Sequence, residues 1–308
     1  MEKDAKIYIA GHRGLVGSAI VRQLRLEGFN NLLLRTHDQL DLTLQNDVEN
    51  FFRDKRPEYV FVAAGLVGGI RANSESPADF YYVNMQIANN ILWSAYKSKV
   101  KKLLYLGSAC MYPKDCDQPM KEEYLLTGLP EVTNEGYALA KISGSRLCSY
   151  IRLQYGADFI STIPANAYGL GDCFDLEKSH VIPALIMKYH NAKINNDKKV
   201  ILWGSGAAKR EFINTTDIAR GSLFLMNNYS NSQPINMGTS EEVSIMELSN
   251  LIKKIVGYKG EIECDLTKPD GMMRRMVDSS HINNLGWSSS ISLEYGLKEL
   301  YKSYLDQL

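Results

Sequence analysis

The stretch KIYIAGHRGLVGSAI, residues 6–20, decides how this chain folds. Residues 6–10 (KIYIA) read as a short apolar strand with β-branched side chains. Gly11, Gly14 and Gly17 follow as Gly-x-x-Gly-x-x-Gly. Residues 15–27 then carry Val16, Ile20 and Leu24 at helical spacing, and Gly28 ends the helix. A glycine turn between strand and helix lets backbone N–H groups approach a pyrophosphate at the helix N-terminus. The bland alternative is a glycine-rich turn with no ligand. Placement at the first strand–helix junction weighs against it.

Outward from this unit the chain alternates. Residues 32–35 read as a second strand, 47–55 as a helix stopped before Pro57, and 59–63 (YVFVA) as a third strand. Residues 80–98 form a long helix and 102–107 (KLLYLG) a fourth strand. Another helix spans 136–155, and 159–163 (FISTI) is a further strand. Near-continuously apolar strands suit a parallel sheet covered on both faces. Repeated β-α-β units imply a doubly wound Rossmann sheet with right-handed crossovers. After Ala167 the pattern changes. Glycines and acids mix irregularly through 168–179, and helices are expected at 181–192, 217–227, 244–256 and 293–308. Residues 200–203 and 212–213 read as short strands. Ser244 with Glu247 forms a capping-box signature. The expected fold is α/β, a Rossmann sheet with a smaller, discontinuous C-terminal α/β substrate domain and a ligand cleft between them.

The 308 residues carry 35 Lys+Arg against 35 Asp+Glu, a net charge of zero. That balance argues against a nucleic-acid or membrane-surface protein, and leaves room for small anionic ligands held by a few local cations. The longest uncharged run, 80–96, contains Asn84, Gln86, Asn89, Asn90 and Ser94, too polar for a membrane span. The opening MEKDA shows no signal peptide. Five cysteines without a Cys-x-x-Cys pair suggest a reducing, cytoplasmic setting. The five histidines form no cluster with metal-ligand spacing, so no metal is expected.

Strand two ends Leu34-Arg35-Thr36, where an NAD site usually carries an acid. Arg35, with Arg13 in the glycine loop, suits the 2′-phosphate of NADP; two solvated surface arginines are the alternative. Asp41, slightly downstream, could flank the adenine. Tyr137 and Lys141 are four apart on one helical face. A nearby ammonium lowers a phenol's pKa from about 10, making it a usable proton donor or acceptor. Spacing alone is weak, because Tyr189 and Lys193 repeat it among 18 tyrosines. Ser108 separates the first pair: it follows a buried strand, at the carboxyl end where open α/β sheets place ligands.

Together the glycine motif, Ser108 and Tyr-x-x-x-Lys resemble the extended short-chain dehydrogenase/reductases. Longer strings resemble one branch, the GDP-L-fucose synthases (GDP-4-keto-6-deoxy-D-mannose 3,5-epimerase-4-reductases). They are AGHRGLVGSAI (10–20), LLLRT (32–36), AAGLVGGI (63–70), LGSACMYPK (106–114), NEGYALAK (134–141), SHVIPAL (179–185), WGSG…REF (203–212) and TKPDGMMRR (267–275). The resemblance implies an NADP(H) enzyme acting on a GDP-linked 4-keto-6-deoxy sugar. Cys110 would be the base at C3 and C5, and His180 the acid on the opposite face. Tyr137, assisted by Ser108, would serve the oxygen at C4, and Lys141 would hold the nicotinamide ribose and tune the tyrosine. A thiol whose pKa approaches neutrality near a cation would suit the base role. Gly11, Arg13, Gly14, Leu15, Val16, Gly17, Arg35, Asp41, Leu42, Ala63, Ala64, Leu106, Pro164, Asn166 and His180 would line the cofactor. Val67, Asn166, Lys188, Trp203, Arg210 and Asp270 would line the GDP-sugar.

On the residues alone, Cys110 reads as a small buried hydrophobe and His180 as a helix-start residue. Core packing is the alternative for Trp203, and a surface ion pair the alternative for Arg210. The implied domains are 1–172 plus about 213–242 for NADP, and about 173–212 plus 243–308 for the GDP-sugar. Helices 80–98 and 136–155 resemble the family's homodimer pair, although Ile87, Ile91 and Leu92 could equally pack inside. Ala109, Gly136 and Lys188 depart from the family's Ser, Pro and Arg, and its YGPxDNF string appears as YGLGDCF (168–174). A GDP-heptose reductase, or a non-catalytic NADP(H) sensor, are the competing readings.

Overall fold

The computed structural model describes residues 1–175, 179–268 and 270–308. The first half runs β1 (Ile7–Ala10), α1 (Leu15–Leu26), β2 (Leu32–Leu33), α2 (Gln45–Lys55), β3 (Tyr59–Val62), α3 (Ile70–Glu75), α4 (Pro77–Lys97), β4 (Lys102–Leu106), α5 (Glu135–Tyr155) and β5 (Phe159–Pro164). It continues through β6 (Asn166–Tyr168), α6 (Val181–Asn195), β7 (Lys199–Trp203), β8 (Lys209–Arg210), β9 (Phe212–Asn214), α7 (Thr215–Asn228) and β10 (Ile235–Met237). The last stretch holds β11 (Val243–Ser244), α8 (Ile245–Val256), β12 (Glu261–Asp265), β13 (Arg274–Arg275), α9 (Ser280–Asn284) and α10 (Leu293–Leu305).

Six strands form one parallel sheet in the order β10-β5-β4-β3-β1-β2. Side chains alternate between its faces. Ile7, Ile9, Phe61, Leu104 and Ile160 pack under α1 and α7 with Ile20, Leu24, Ile218 and Leu223. Tyr8, Val60, Val62, Leu103 and Phe159 face α2, α4 and α5 through Phe52, Ile91, Leu92 and Ile151. Ile87, Ile91 and Leu92 therefore pack inside, which resolves that alternative. A third core joins α6, α8, α10 and β7 through Ile186, Tyr189, Leu202, Ile252 and Leu300.

The expected doubly wound sheet is present, with differences at its margins. Strand two stops at Leu33, because Thr36 already caps the following 3-10 turn with Gln39 and bends the chain away from the edge. Most helices gain a turn or less over the sequence reading, the tail helix is shorter, and α3 precedes the long helix unannounced. The capping box at Ser244 forms in both directions, with Glu247 N donating to Ser244 Oγ at 3.1 Å and Ser244 N to Glu247 Oε2 at 2.8 Å. The sequence reading missed β10, β12 and the two-residue strands β8, β11 and β13. Among the described residues, no helix is long and apolar enough to cross a membrane.

Strand β10 ties the site's loops to the sheet through Asn236, which is fully buried. Tyr112 Oη donates to Asn236 Oδ1 at 2.6 Å, and Asn236 Nδ2 donates to the carbonyls of Met120 (2.8 Å) and Asp278 (3.1 Å). Met120 N in turn donates to Met276 O at 2.8 Å. The loop after β4 and the segment after β13 are thus held together. Replacing Asn236→Ala leaves buried partners unpaired and should lower unfolding free energy by roughly 2–4 kcal/mol. A denaturant midpoint unchanged from the parent would contradict this role.

Candidate active site

At the carboxyl end of the sheet, β1 pairs with β2 on one side and β3 on the other, making the crevice where such sheets bind ligands. Gly11 leaves β1 at φ 80°, and a Cβ there would lie 2.6 Å from Ala64 N. A Cβ on Gly17 would lie 2.1 Å from Gly11 O. Glycine is required at both because backbone meets backbone. No side chain caps α1 at Gly14, so the first-turn N–H groups of Leu15, Val16 and Gly17 are open to an anion. That arrangement fits a dinucleotide pyrophosphate.

Arg13 is exposed beside this turn. Arg35 donates to Leu34 O at 2.8 Å and lies 5.7 Å from the Phe51 ring centroid. Asp41 Oδ1 accepts from Thr43 N (2.9 Å) and Thr43 Oγ1 (2.7 Å), which hold its carboxyl below the usual range. Leu42 O accepts from Asn90 at 2.9 Å. Ala63 and Ala64 leave β3, Leu106 ends β4 and Pro164 ends β5, so these positions converge on the same rim.

Four residues come together beyond β4. Ser108 caps a short 3-10 turn whose Cys110 N–H approaches Ser108 Oγ at 3.4 Å. Lys141 Nζ donates to Leu106 O at 2.9 Å and stands 5.8 Å from the Tyr137 ring centroid and 5.0 Å from that of Tyr105. Burial pulls the Lys141 ammonium down to about 8. Tyr137 moves against expectation. Burial pushes its pKa up, the neighbouring Cys110 adds to the rise, and a hydrogen bond with Ser108 opposes it. The sequence reading weighed the lysine and missed the dry surroundings, in which a phenolate is poorly solvated. Cys110 is corrected in the same sense: burial pushes its thiol up, opposed by Ser108, Arg275 and Lys141. Both groups are held protonated.

His180 is not hydrogen-bonded to this group among the described residues. It is the N-cap of α6, exposed to the cleft, yet enough protein surrounds its ring to lower its pKa. Val67 is exposed in the loop after β3, whose neighbour Leu66 is pinned by Asn84: Leu66 N donates to Asn84 Oδ1 at 2.9 Å and Asn84 Nδ2 to Leu66 O at 3.0 Å. Asn166 Nδ2 donates to Glu211 O at 2.7 Å, linking the β5–β6 corner to β8.

At the far end Trp203 is 64% exposed, which rules out core packing. Lys188 Nζ and Lys268 Nζ lie 5.2 and 5.6 Å from its ring centroid. Arg210 has no carboxylate partner among the described residues; it bonds Lys209 O at 2.7 Å. Burial and the nearby Arg275 bring its pKa down to about 10. Asp270 spends both oxygens on Ser205, accepting from N at 2.7 Å and Oγ at 2.8 Å, and so staples the turn after Trp203. Pro269 beside it lies outside the described residues.

The residue that sequence reading missed is Arg275. It pairs with Arg210 across β8 and β13, and its charge reaches both Arg210 and Cys110. The string TKPDGMMRR held the signal as two adjacent arginines, but no periodicity reveals two-residue strands. Arg210 and Arg275 make a half-buried cationic pair that suits a diphosphate.

Comparison with known proteins agrees with this geometry. The model of the NAD dependent epimerase/dehydratase family matches residues 7–238. A putative GDP-L-fucose synthase 2 of Arabidopsis thaliana is 53% identical over 308 residues, covering 100% of this chain and 94% of that one. A GDP-6-OMe-4-keto-L-xylo-heptose reductase from C. jejuni superposes with a TM-score of 0.95 at 38% identity, covering 100% and 99% of the two chains. A GDP-L-fucose synthetase from Naegleria fowleri bound to NADP gives 0.91 at 28% identity, covering 100% and 96%. The chain belongs to the GDP-L-fucose synthase family of NAD dependent epimerase/dehydratases.

Proposed function

We propose that this enzyme converts GDP-4-keto-6-deoxy-D-mannose to GDP-L-fucose with NADPH, by epimerisation at C3 and C5 and then reduction at C4. The observation that carries this reading is the clustering of Ser108, Cys110, Tyr137 and Lys141 at the end of β4, under the influence of Arg275. In the substrate, the C4 ketone acidifies the protons at C3 and C5. Cys110 removes each proton as thiolate, the form that Ser108, Arg275 and Lys141 favour against the burial that otherwise keeps the thiol protonated. His180 returns a proton from the opposite face. Ser108 and Tyr137 hold the oxygen at C4 as charge develops on it. NADPH held at the glycine turn would supply the hydride that reduces C4. Tyr137, kept protonated by burial, donates the proton that completes the alcohol.

Gly11, Arg13, Gly14, Leu15, Val16, Gly17 and Arg35 bind the cofactor phosphates in this reading. Lys188, Trp203, Arg210 and Arg275 bind GDP. The division into a cofactor domain (1–172 plus about 213–242) and a GDP-sugar domain (about 173–212 plus 243–308) is supported by the separate third core. Five free cysteines suit a cytoplasmic protein.

A GDP-4-keto-6-deoxy-heptose is the second reading, favoured by the exposed Cys173 in a cleft loop and by the likeness to a heptose reductase. Incubation in D₂O separates the two. Epimerisation of the mannose-derived ketone predicts deuterium at C3 and C5, and no incorporation with oxidation of NADPH would leave only a reductase. Cys110→Ser should lower that incorporation by roughly a hundredfold or more, and Tyr137→Phe should lower NADPH oxidation by a similar factor. A Tyr137→Phe variant with full turnover would remove the tyrosine from the proton-donor role, and a parent protein that binds NADPH but turns over no GDP-4-keto sugar would favour a sensor.

The lysine supplies a pH test. Lys141 is cationic below its pKa of about 8 and neutral above it, so kcat/KM should fall as pH rises through about 8. Lys141→Arg, which stays charged, should lose that limb; an identical profile would assign the limb elsewhere.

We also propose a homodimer through α4 and α5. Trp93, Tyr96 and Tyr155 stack at the outer surface, with Tyr150 and Leu153 exposed nearby. Light scattering should give about twice the 34.7 kDa chain mass, and Trp93→Asp with Tyr155→Asp should halve it. A parent protein that scatters as one chain would refute the dimer.

A further inference from the structure

Glu211 is fully buried, directly after Arg210, and the mechanism above does not use it. Its carboxylate gathers three segments. Oε1 accepts from Thr239 N at 2.6 Å and Ser240 N at 2.9 Å, and Oε2 accepts from Val277 N at 2.9 Å. Ser240 sits at φ 61°, a left-handed conformation that the carboxylate holds in place. The backbone of Glu211 is engaged too: its N donates to Arg275 O at 3.3 Å, and its carbonyl accepts from Asn166 Nδ2 at 2.7 Å. Even Gly238 packs against it, since a Cβ there would lie 2.3 Å from Glu211 Oε1.

The strands that carry the arginines are two residues long and sit in the three-stranded sheet β11-β8-β13. So short a ladder fixes its own register weakly. Successive side chains on a strand point to opposite faces, so Arg210 and Glu211 diverge. Val277 lies two residues past Arg275, so anchoring its N–H anchors that arginine's strand to β8.

We propose that Glu211 is the positioning residue of the diphosphate clamp, the buried anchor that sets Arg210 and Arg275 side by side and so determines affinity for the nucleoside diphosphate. This rests on the reading that the arginine pair binds the diphosphate of GDP. A glutamine at 211 keeps the volume but presents an N–H₂ to either Val277 N–H or the Thr239–Ser240 pair, setting donor against donor.

Titration calorimetry with GDP and, separately, NADPH tests it on the full chain. Glu211→Gln should weaken GDP binding about tenfold or more while leaving NADPH within about twofold. In an Arg210→Ala/Arg275→Ala background the same change should have no further effect. Gly238→Ala, which displaces the carboxylate without removing it, should reproduce the selective loss if Glu211→Gln folds poorly. GDP affinity unchanged in both variants, parallel loss of GDP and NADPH binding, or a full additional loss without the arginines would each overturn the proposal. If the double arginine variant itself binds GDP like the parent, the clamp reading fails first, and this inference falls with it.

Discussion

The architecture depends on one backbone contact. Where β1 ends, Gly11 passes so close to the exit of β3 at Ala63 and Ala64 that no side chain fits, and Gly17 presses on Gly11 from α1. This packing sets the angle at which α1 leaves the sheet and aims its uncapped N-terminus into the crevice. The loops of the site leave neighbouring strands of the same sheet. Gly11 follows β1, Ala63 follows β3, Ser108 follows β4 and Asn166 follows β5. Parallel pairing puts all these exits on one edge, so the glycine turn and the Ser108–Tyr137 pair stand at the same end of the sheet.

Burial, rather than pairing, sets the charge state of the catalytic group. Tyr137 and Cys110 are pushed toward their neutral forms and Lys141 is drawn toward its own. Among the described residues no carboxylate joins the cluster to compensate the lysine, whose ammonium rests on a backbone carbonyl. A site of this kind is tuned by what enters it. An anionic ligand favours the lysine's charge, while the lysine and Arg275 oppose the burial that keeps the Cys110 thiol protonated. The net charge of zero is compatible with this arrangement, because local cations such as Lys141, Arg210 and Arg275 need no overall basic excess.

Legibility followed the length of the elements. Strands of four or more buried residues and helices with clear apolar stripes declare themselves by period, and the sheet and its helices were readable for that reason. Ser108, Tyr137 and Lys141 could be joined because strand-end placement and a four-residue step are local rules. The directions of the Tyr137 and Cys110 shifts were not readable, since they depend on how completely other segments cover those groups. Arg275 and Glu211 were invisible for another reason. Their roles arise from strands two residues long and from contacts to Val277, Thr239 and Ser240, far away in sequence. Asp270 shows the converse: its string was recognisable, but its carboxylate serves Ser205 in the next turn.

These two kinds of element divide the labour of the cleft. The long parallel sheet is held by many ladder bonds and two apolar cores, with the Gly11–Gly17 approach as a contact that admits no side chain. The three-stranded sheet that carries Arg210 and Arg275 is built from minimal strands, and buried polar groups, Glu211 and Asn236 among them, tie its neighbouring segments together. A binding surface of that kind is adjustable. Segments held in this way can vary between related chains while the parallel sheet stays the same, because their geometry is set by local polar contacts and not by the ladder.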